Sequence, residues 1–267
     1  KVLNQTVKPR ILAFEITRKC RFNCRHCRAG GGRAQTKKDL STQQCKRILK
    51  AVADYNKAVV IFTGGEPMER ADIYDLVAYA RGLGLRSVMA SCGYSLSEQS
   101  LERLRASGLL AMSFSLDGAS RESNDAFRES EGAFDAVVEA AQLCRQVGLR
   151  FQINMTISRI NIDELEQVAE LSRQLGAYCF NPFILVPTGR GRQITDQILS
   201  PDEYEALLSK LAALRDAAGT EVRVTCGPQF SRVCRELGTR KADEVKGCLG
   251  GSEFGFISHT GDVQICG

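Results

Sequence analysis

Ile11-Leu-Ala-Phe-Glu-Ile-Thr-Arg-Lys-Cys20-Arg-Phe-Asn-Cys24-Arg-His-Cys27 sets an apolar run of strand length directly before three cysteines spaced CxxxCxxC. Residues 11–16 read as a strand, an apolar run of strand length. Five further runs of this kind occur at 58–62, 87–91, 112–116, 150–157 and 178–186. Between them lie stretches with helical spacing and start signals, at 45–53 after Ser41-Thr42, 72–83, 97–106, 132–147 and 161–175.

Strand and helix thus alternate, and a parallel strand pair needs a long crossover that a helix supplies. The fold class is α/β, and six units predict a partial (β/α)6 barrel. The eight units of a complete barrel would need about 250 residues, whereas here the pattern breaks at Pro187-Thr188-Gly189. One more helix is expected from Pro201 to about residue 218, then a weakly patterned bridging segment over 221–247. Two short apolar runs in 254–265 flank His259-Thr260-Gly261-Asp262 and predict a hairpin turning at Gly261. The expected division is 1–195 for the barrel, 196–247 for the helix and bridge, and 248–267 for the start of a further domain that continues past Gly267.

Composition narrows the class. The 267 residues are 43% hydrophobic and 25% charged, ordinary globular values. No apolar run reaches the roughly 18 to 20 residues of a membrane span, and the N-terminus lacks the order of a secretory signal. A soluble, cytoplasmic protein with neither membrane nor nucleic-acid partners is expected. The net charge of +5 has no dense basic run behind it, which suits an acidic substrate or a solvated face. Eleven cysteines, an odd number without a signal peptide, suggest metal ligation or buried thiols before disulfides.

Cys20, Cys24 and Cys27 sit where α/β barrels place their chemistry, at the C-terminal end of a strand. Iron–sulfur clusters take thiolate ligands, and three thiolates leave one iron of a [4Fe-4S] cluster open. A structural zinc site would want a fourth Cys or His and a closed shell. His26 is the neighbouring candidate, awkwardly placed between two ligands.

With Thr63-Gly64-Gly65-Glu66-Pro67 ending the second strand, this loop resembles that of the radical S-adenosylmethionine (SAM) superfamily. The resemblance implies that the open iron is chelated by the amino and carboxylate groups of SAM. An electron from the cluster on Cys20, Cys24 and Cys27 then breaks the C–S bond to give a 5′-deoxyadenosyl radical. It implies further that Gly64, Gly65 and Glu66 meet the SAM amino group. Glycines let backbone approach a ligand, and a carboxylate accepts from an ammonium; alone, the glycine pair would read as a tight turn. Ser115 and Asp117 share one strand face, as do Gln152 and Asn154. The family places SAM ribose and carboxylate contacts at Ser115, Asp117 and Asn154, and His26 fills the slot of an aromatic beside the adenine. Arg25 and Arg28 read as surface. Ser91-Cys92-Gly93 departs from the asparagine expected before that glycine.

Cys248, twelve residues, Gly261, four residues and Cys266 resemble the opening of a SPASM or twitch appendage, which implies an auxiliary [4Fe-4S] cluster on Cys248 and Cys266. Cys226 is a possible extra ligand and Cys234 another, while Cys45, Cys92, Cys144 and Cys179 read as buried thiols. Ile11 to Arg18, Phe151-Gln-Ile-Asn154, Leu185-Val-Pro-Thr-Gly-Arg-Gly-Arg192 and Gly247-Cys-Leu-Gly-Gly251 resemble the tetrapyrrole-modifying SPASM enzymes, and among them the haem b synthases. That resemblance implies oxidative decarboxylation of two propionates of iron-coproporphyrin III to vinyls, with a flavodoxin or ferredoxin as reductant. Arg190 and Arg192 then pair with propionates, and His259 ligates the substrate iron or the auxiliary cluster. Alternatives are enzymes that remove acetate from didecarboxysirohaem or trim propionates for haem d1, a peptide-modifying SPASM maturase, and a cluster-bearing scaffold or electron-transfer protein.

Overall fold

The structure, a computed structural model, describes residues 8–32, 38–217, 219–240 and 242–267. Strands β1 (Ile11–Thr17), β2 (Val59–Gly64), β3 (Arg86–Ser91), β4 (Leu109–Ser115), β5 (Arg150–Ile157) and β6 (Cys179–Ile184) are neighbours in chain order. All five pairings are parallel. Their crossovers carry α1 (Thr42–Tyr55), α2 (Ile73–Gly82), α3 (Glu98–Ser107), α4 (Arg121–Arg128), α5 (Ala133–Gln146) and α6 (Leu165–Leu175). The partial α/β barrel expected from the pattern is therefore present. Ser41 starts α1 with a capping box closed by Gln44, which satisfies two otherwise unpaired backbone donors.

Phe14, Phe62, Met89, Met112 and Phe151 form one row across β1 to β5, each in register with the next. All five are buried beneath the helices, and each such side chain contributes roughly 1.5–3 kcal/mol. Since successive residues alternate faces, the opposite face of the sheet receives Glu15, Thr63, Ser113, Ser115, Gln152, Asn154 and Asn181. Ser113 pairs with Gln152, and Ser115, Asn154 and Asn181 lie side by side. One face is thus a dry core and the other a polar surface.

Both edges of the sheet are built from the chain after β6. Helix α7 (Pro201–Ala217) is followed by β7 (Glu221–Val222), which pairs with β6, and by α8 (Phe230–Glu236). The predicted hairpin forms from β8 (Phe254–Ile257) and β9 (Val263–Gln264), with Gly261 at φ 94° in its turn. It does not stand apart. β8 adds in parallel to β1, with Ile11 opposite Phe254 and Phe14 opposite Ile257, giving the order β7-β6-β5-β4-β3-β2-β1-β8-β9. The segments expected as 196–247 and 248–267 hence share one sheet with the barrel. Among the described residues no helix is long and apolar enough to cross a membrane.

Candidate active site

Parallel strands bring their C-terminal ends to one rim, and the cysteine loop leaves β1 there. The loop closes on itself: Cys20 N–H donates to Gly32 C=O at 3.3 Å and Gly32 N–H to Arg18 C=O at 3.2 Å. The end of β2 grips it. Gly65 N–H donates to Thr17 C=O and Glu66 N–H to Lys19 C=O, both at 2.7 Å. A Cβ on Gly64 would lie 2.2 Å from the Thr17 oxygen, and one on Gly65 2.2 Å from that of Lys19. The close approach these glycines permit is therefore that of the cysteine loop's own backbone, where the sequence suggested a ligand.

Arg190 holds the loop from the far side. Its Nε donates to Cys24 C=O at 2.9 Å, its Nη1 to Gly31 C=O at 2.7 Å and its backbone N–H to Cys27 C=O at 3.0 Å. A guanidinium spread over loop carbonyls is a clamp, so Nε and Nη1 of Arg190 are engaged by the loop rather than by the propionate expected there. Nη2 is buried without a partner. Arg192, the other predicted propionate ligand, is exposed.

Cys20, Cys24 and Cys27 pack around Phe22, Cys92, Tyr94 and Ala133. Burial pushes the Cys24 thiol up, against the pull of the Arg128 guanidinium. A hydrogen bond with the Cys92 thiol is the main influence drawing Cys20 down. Cys92 is buried as expected, but it belongs to the site. Arg128, which the sequence reading missed, is a buried cation paired with Asp117 at 2.7 Å. Three thiols on one closed loop, beside a cation that offsets thiolate charge, fit a thiolate-bound iron–sulfur cluster. Among the described residues no group of three His, Cys, Asp or Glu side chains is placed to hold a single metal ion.

Several predicted ligand contacts are taken up by the protein itself. Glu66 accepts from Cys92 N–H at 2.7 Å, from Met68 N–H at 3.1 Å and from the Ser91 hydroxyl, whose Oγ lies 3.0 Å from each carboxylate oxygen. Burial pushes its pKa up. It ties β2 to β3 at the rim where the ammonium contact is expected. Asp117 accepts from Arg128 and, at 2.7 Å, from Thr156 N–H. With no exposed side-chain surface, it supports the site from behind. Ser115 and Asn154 are half-buried on the polar face. His26 stacks on Phe127, ring centroids 4.6 Å apart, which occupies one face of the ring expected beside adenine. Burial lowers its pKa to about 4; Asp117, 3.4 Å away, acts in the opposite sense but is already neutralised by Arg128. The Nδ1 edge of His26 is buried and unpartnered.

Arg25 meets Glu129 on the surface as predicted. Arg28 does not: it donates to the buried Glu15 at 3.1 Å and lies over the Phe256 ring. His259, expected as an iron ligand, is only 3% exposed, and its Nδ1 is 3.0 Å from Glu15. The hairpin presses it against β1, where it joins Arg28 on one carboxylate. Cys234 lies in the apolar core under α8, which removes it as a cluster ligand. Cys45, Cys144 and Cys179 are buried thiols. Cys226, Cys248 and Cys266 are all exposed. A Cβ on Gly250 would lie 3.4 Å from Cys248 Sγ and 4.0 Å from Cys266 Cβ. Burial, then the Cys266 and Cys248 thiols, push Cys226 up.

A partial parallel α/β barrel with a three-thiolate loop at the end of its first strand defines the radical SAM class of enzyme, which uses SAM and a [4Fe-4S] cluster. Residues 14–172 match the radical SAM superfamily, and the chain belongs to it. The chain is 38% identical to the AdoMet-dependent heme synthase of Oleidesulfovibrio alaskensis, over 97% of this chain and 69% of the relative. Against the AdoMet-dependent heme synthase of Methanosarcina barkeri it is 35% identical, over 100% of this chain and 79% of the relative. In fold it is similar to Streptococcus suis SuiB bound to S-adenosylmethionine, with TM-score 0.76 at 18% identity over 97% of this chain; it spans 60% of that chain.

Proposed function

We propose that this chain acts as a SAM-dependent haem synthase that converts two propionates of iron-coproporphyrin III to vinyl groups. The observation that carries the reading is the 38% identity, sustained over 97% of the chain, to a haem synthase. Cys20, Cys24 and Cys27 would hold the cluster. With SAM bound, that group supplies reductive C–S cleavage and hydrogen abstraction from the substrate.

The chain's own residues do the rest. Arg190, Gly64 and Gly65 fix the cysteine loop, while Arg128 balances thiolate charge inside the site. Ser115, Asn154 and the free Nδ1 edge of His26 are the proposed SAM contacts. Ser113, Gln152 and Asn181 continue the same polar face toward the substrate. Arg192 keeps its proposed role with a propionate. Each propionate gives up carbon dioxide, one hydrogen atom and one electron. We assign the electron to an auxiliary [4Fe-4S] cluster on Cys248 and Cys266, and the initial reduction to a flavodoxin or ferredoxin.

The test is anaerobic reconstitution with iron and sulfide, then dithionite and SAM, with chromatography for 5′-deoxyadenosine and porphyrin products with and without iron-coproporphyrin III. Deoxyadenosine that depends on Cys24, assayed as Cys24→Ala, and rises with the porphyrin is the expected result. Deoxyadenosine without porphyrin stimulation or vinyl product overturns the substrate assignment.

A further inference from the structure

The two edge strands β7 and β9 each lead into an exposed cysteine, Cys226 on one side and Cys266 on the other. In a flat sheet of nine strands these ends would be far apart, since neighbouring strands lie about 4.8 Å from each other. Here they meet. A Cβ on Gly247 would lie 3.6 Å from the carbonyl oxygen of Pro228, which sets the residue before Cys248 against the turn that follows Cys226. Cys248 and Cys266 flank Gly250.

Cys226 is also held in position. Thr225 bridges Phe183 at the end of β6, donates its N–H to Pro182 C=O at 2.8 Å and accepts from Ile184 N–H at 3.1 Å. The next residue, Cys226, takes φ +61°, a left-handed conformation that strains a residue with a side chain. Gly227, which could take that conformation freely, follows it. The strain thus falls on the one residue of the turn that carries a thiol.

We propose that Cys226, Cys248 and Cys266 together hold one iron–sulfur cluster, and that this cluster staples the two opposite edges of the open sheet. This rests on the reading of Cys248 and Cys266 as auxiliary-cluster ligands and adds both the third ligand and its mechanical consequence. Thiolates drawn from different elements make cluster assembly a folding event for the segments between them. Cluster loading consequently orders the seam between 221–228 and 247–266.

The experiment uses the full chain with Cys20, Cys24 and Cys27 changed to Ala, so that bound iron reports the second site. Reconstituted and iron-free samples are pulsed with iodoacetamide, and each cysteine is followed by mass spectrometry. Cluster loading is expected to slow alkylation of Cys226, Cys248 and Cys266 together, by about tenfold or more, and to slow amide exchange in 221–228. Cys226→Ser is expected to lower bound iron and sulfide several-fold, as Cys248→Ser does. If Cys226 alkylates equally fast with and without iron while Cys248 and Cys266 are protected, Cys226 is no ligand and the staple is overturned, with the two-cysteine reading intact. If none of the three is protected and Cys248→Ser binds as much iron as its parent, the auxiliary cluster itself falls. The alkylation arm needs no substitution at Cys226, so it decides the matter even where Cys226→Ser folds poorly.

Discussion

Arg128 Nη1 donates to Asp117 Oδ2 at 2.7 Å in a pair whose side chains are 7% and 0% exposed, directly behind the cysteine loop. Burial works against the arginine's charge, yet Cys24, Asp117 and Cys92 hold its pKa above the ordinary value. Removing one partner strands the other charge in the interior, at a cost of about 3–5 kcal/mol. Asp117→Asn is thus expected to lower the stability of the cluster-free chain by about 3 kcal/mol, read from urea unfolding. The double variant Asp117→Leu/Arg128→Met should recover much of that loss. If Asp117→Asn unfolds at the parent's midpoint, the pair does not have the strength its burial implies.

Gly65→Ala places a methyl 2.2 Å from the Lys19 carbonyl oxygen, and no flexible side chain is there to move aside. The cysteine loop or the end of β2 must shift, and overpacking of this kind costs about 1–3 kcal/mol. The expected result is a several-fold loss of iron at the three-cysteine site and of SAM cleavage. Gly82→Ala, with nothing within 4 Å of the added Cβ, is the control; lying in α2, it should be neutral or stabilising by up to about 1 kcal/mol. Equal iron content in both variants would show that the loop tolerates displacement.

Six strands were legible because each is an apolar run buried against helices, and the cysteine spacing carried the site. What escaped had a short local signal or none. Helix α4 has eight residues, mostly polar, and β7 has two. With α4 went Arg128, although Asn124, Phe127 and Arg128 all fall on its buried face, the spacing of a short amphipathic helix. The pairing of β8 with β1 joins residues at opposite ends of the chain, which no periodicity encodes. The loop contacts of Arg190 were hidden for the same reason: Arg-Gly-Arg near a strand end resembles an anion site, while its acceptors, Cys24 and Gly31, lie far back in the sequence.

Thiol reactivity should sort the cysteines by burial. Burial pushes Cys45 and Cys179 to about 11 and Cys144 to about 12. Since only the thiolate reacts, a raised pKa leaves less of it at any given pH; at pH 8 these three hold about a thousandth or less as thiolate. Native iodoacetamide labelling of the iron-free chain at pH 8 should mark Cys248 and Cys266 first and Cys226 after them, and leave Cys45, Cys144 and Cys179 until denaturant is added. Moving from pH 8 to 9 should speed Cys226 by up to about tenfold. Early labelling of Cys144 would contradict the packing of α5.

Arg190 and Arg192 separate clamping from substrate binding. A residue that holds the cysteine loop affects the cluster whether or not porphyrin is present, whereas one that pairs with a propionate affects only the porphyrin-dependent reaction. Arg190→Lys keeps the charge but loses the fork that spans Cys24 and Gly31. It is expected to lower iron content and porphyrin-independent deoxyadenosine formation about tenfold, as two charge-assisted hydrogen bonds to the loop are lost. Arg192→Ala, at an exposed position, should leave both unchanged and raise the KM for iron-coproporphyrin III, since an exposed charge contributes to encounter and orientation more than to folding. The reverse pattern, with Arg190→Lys silent without porphyrin and altered only in KM, would return Arg190 to the substrate and show that the loop holds its shape through Gly64, Gly65 and its own backbone bonds.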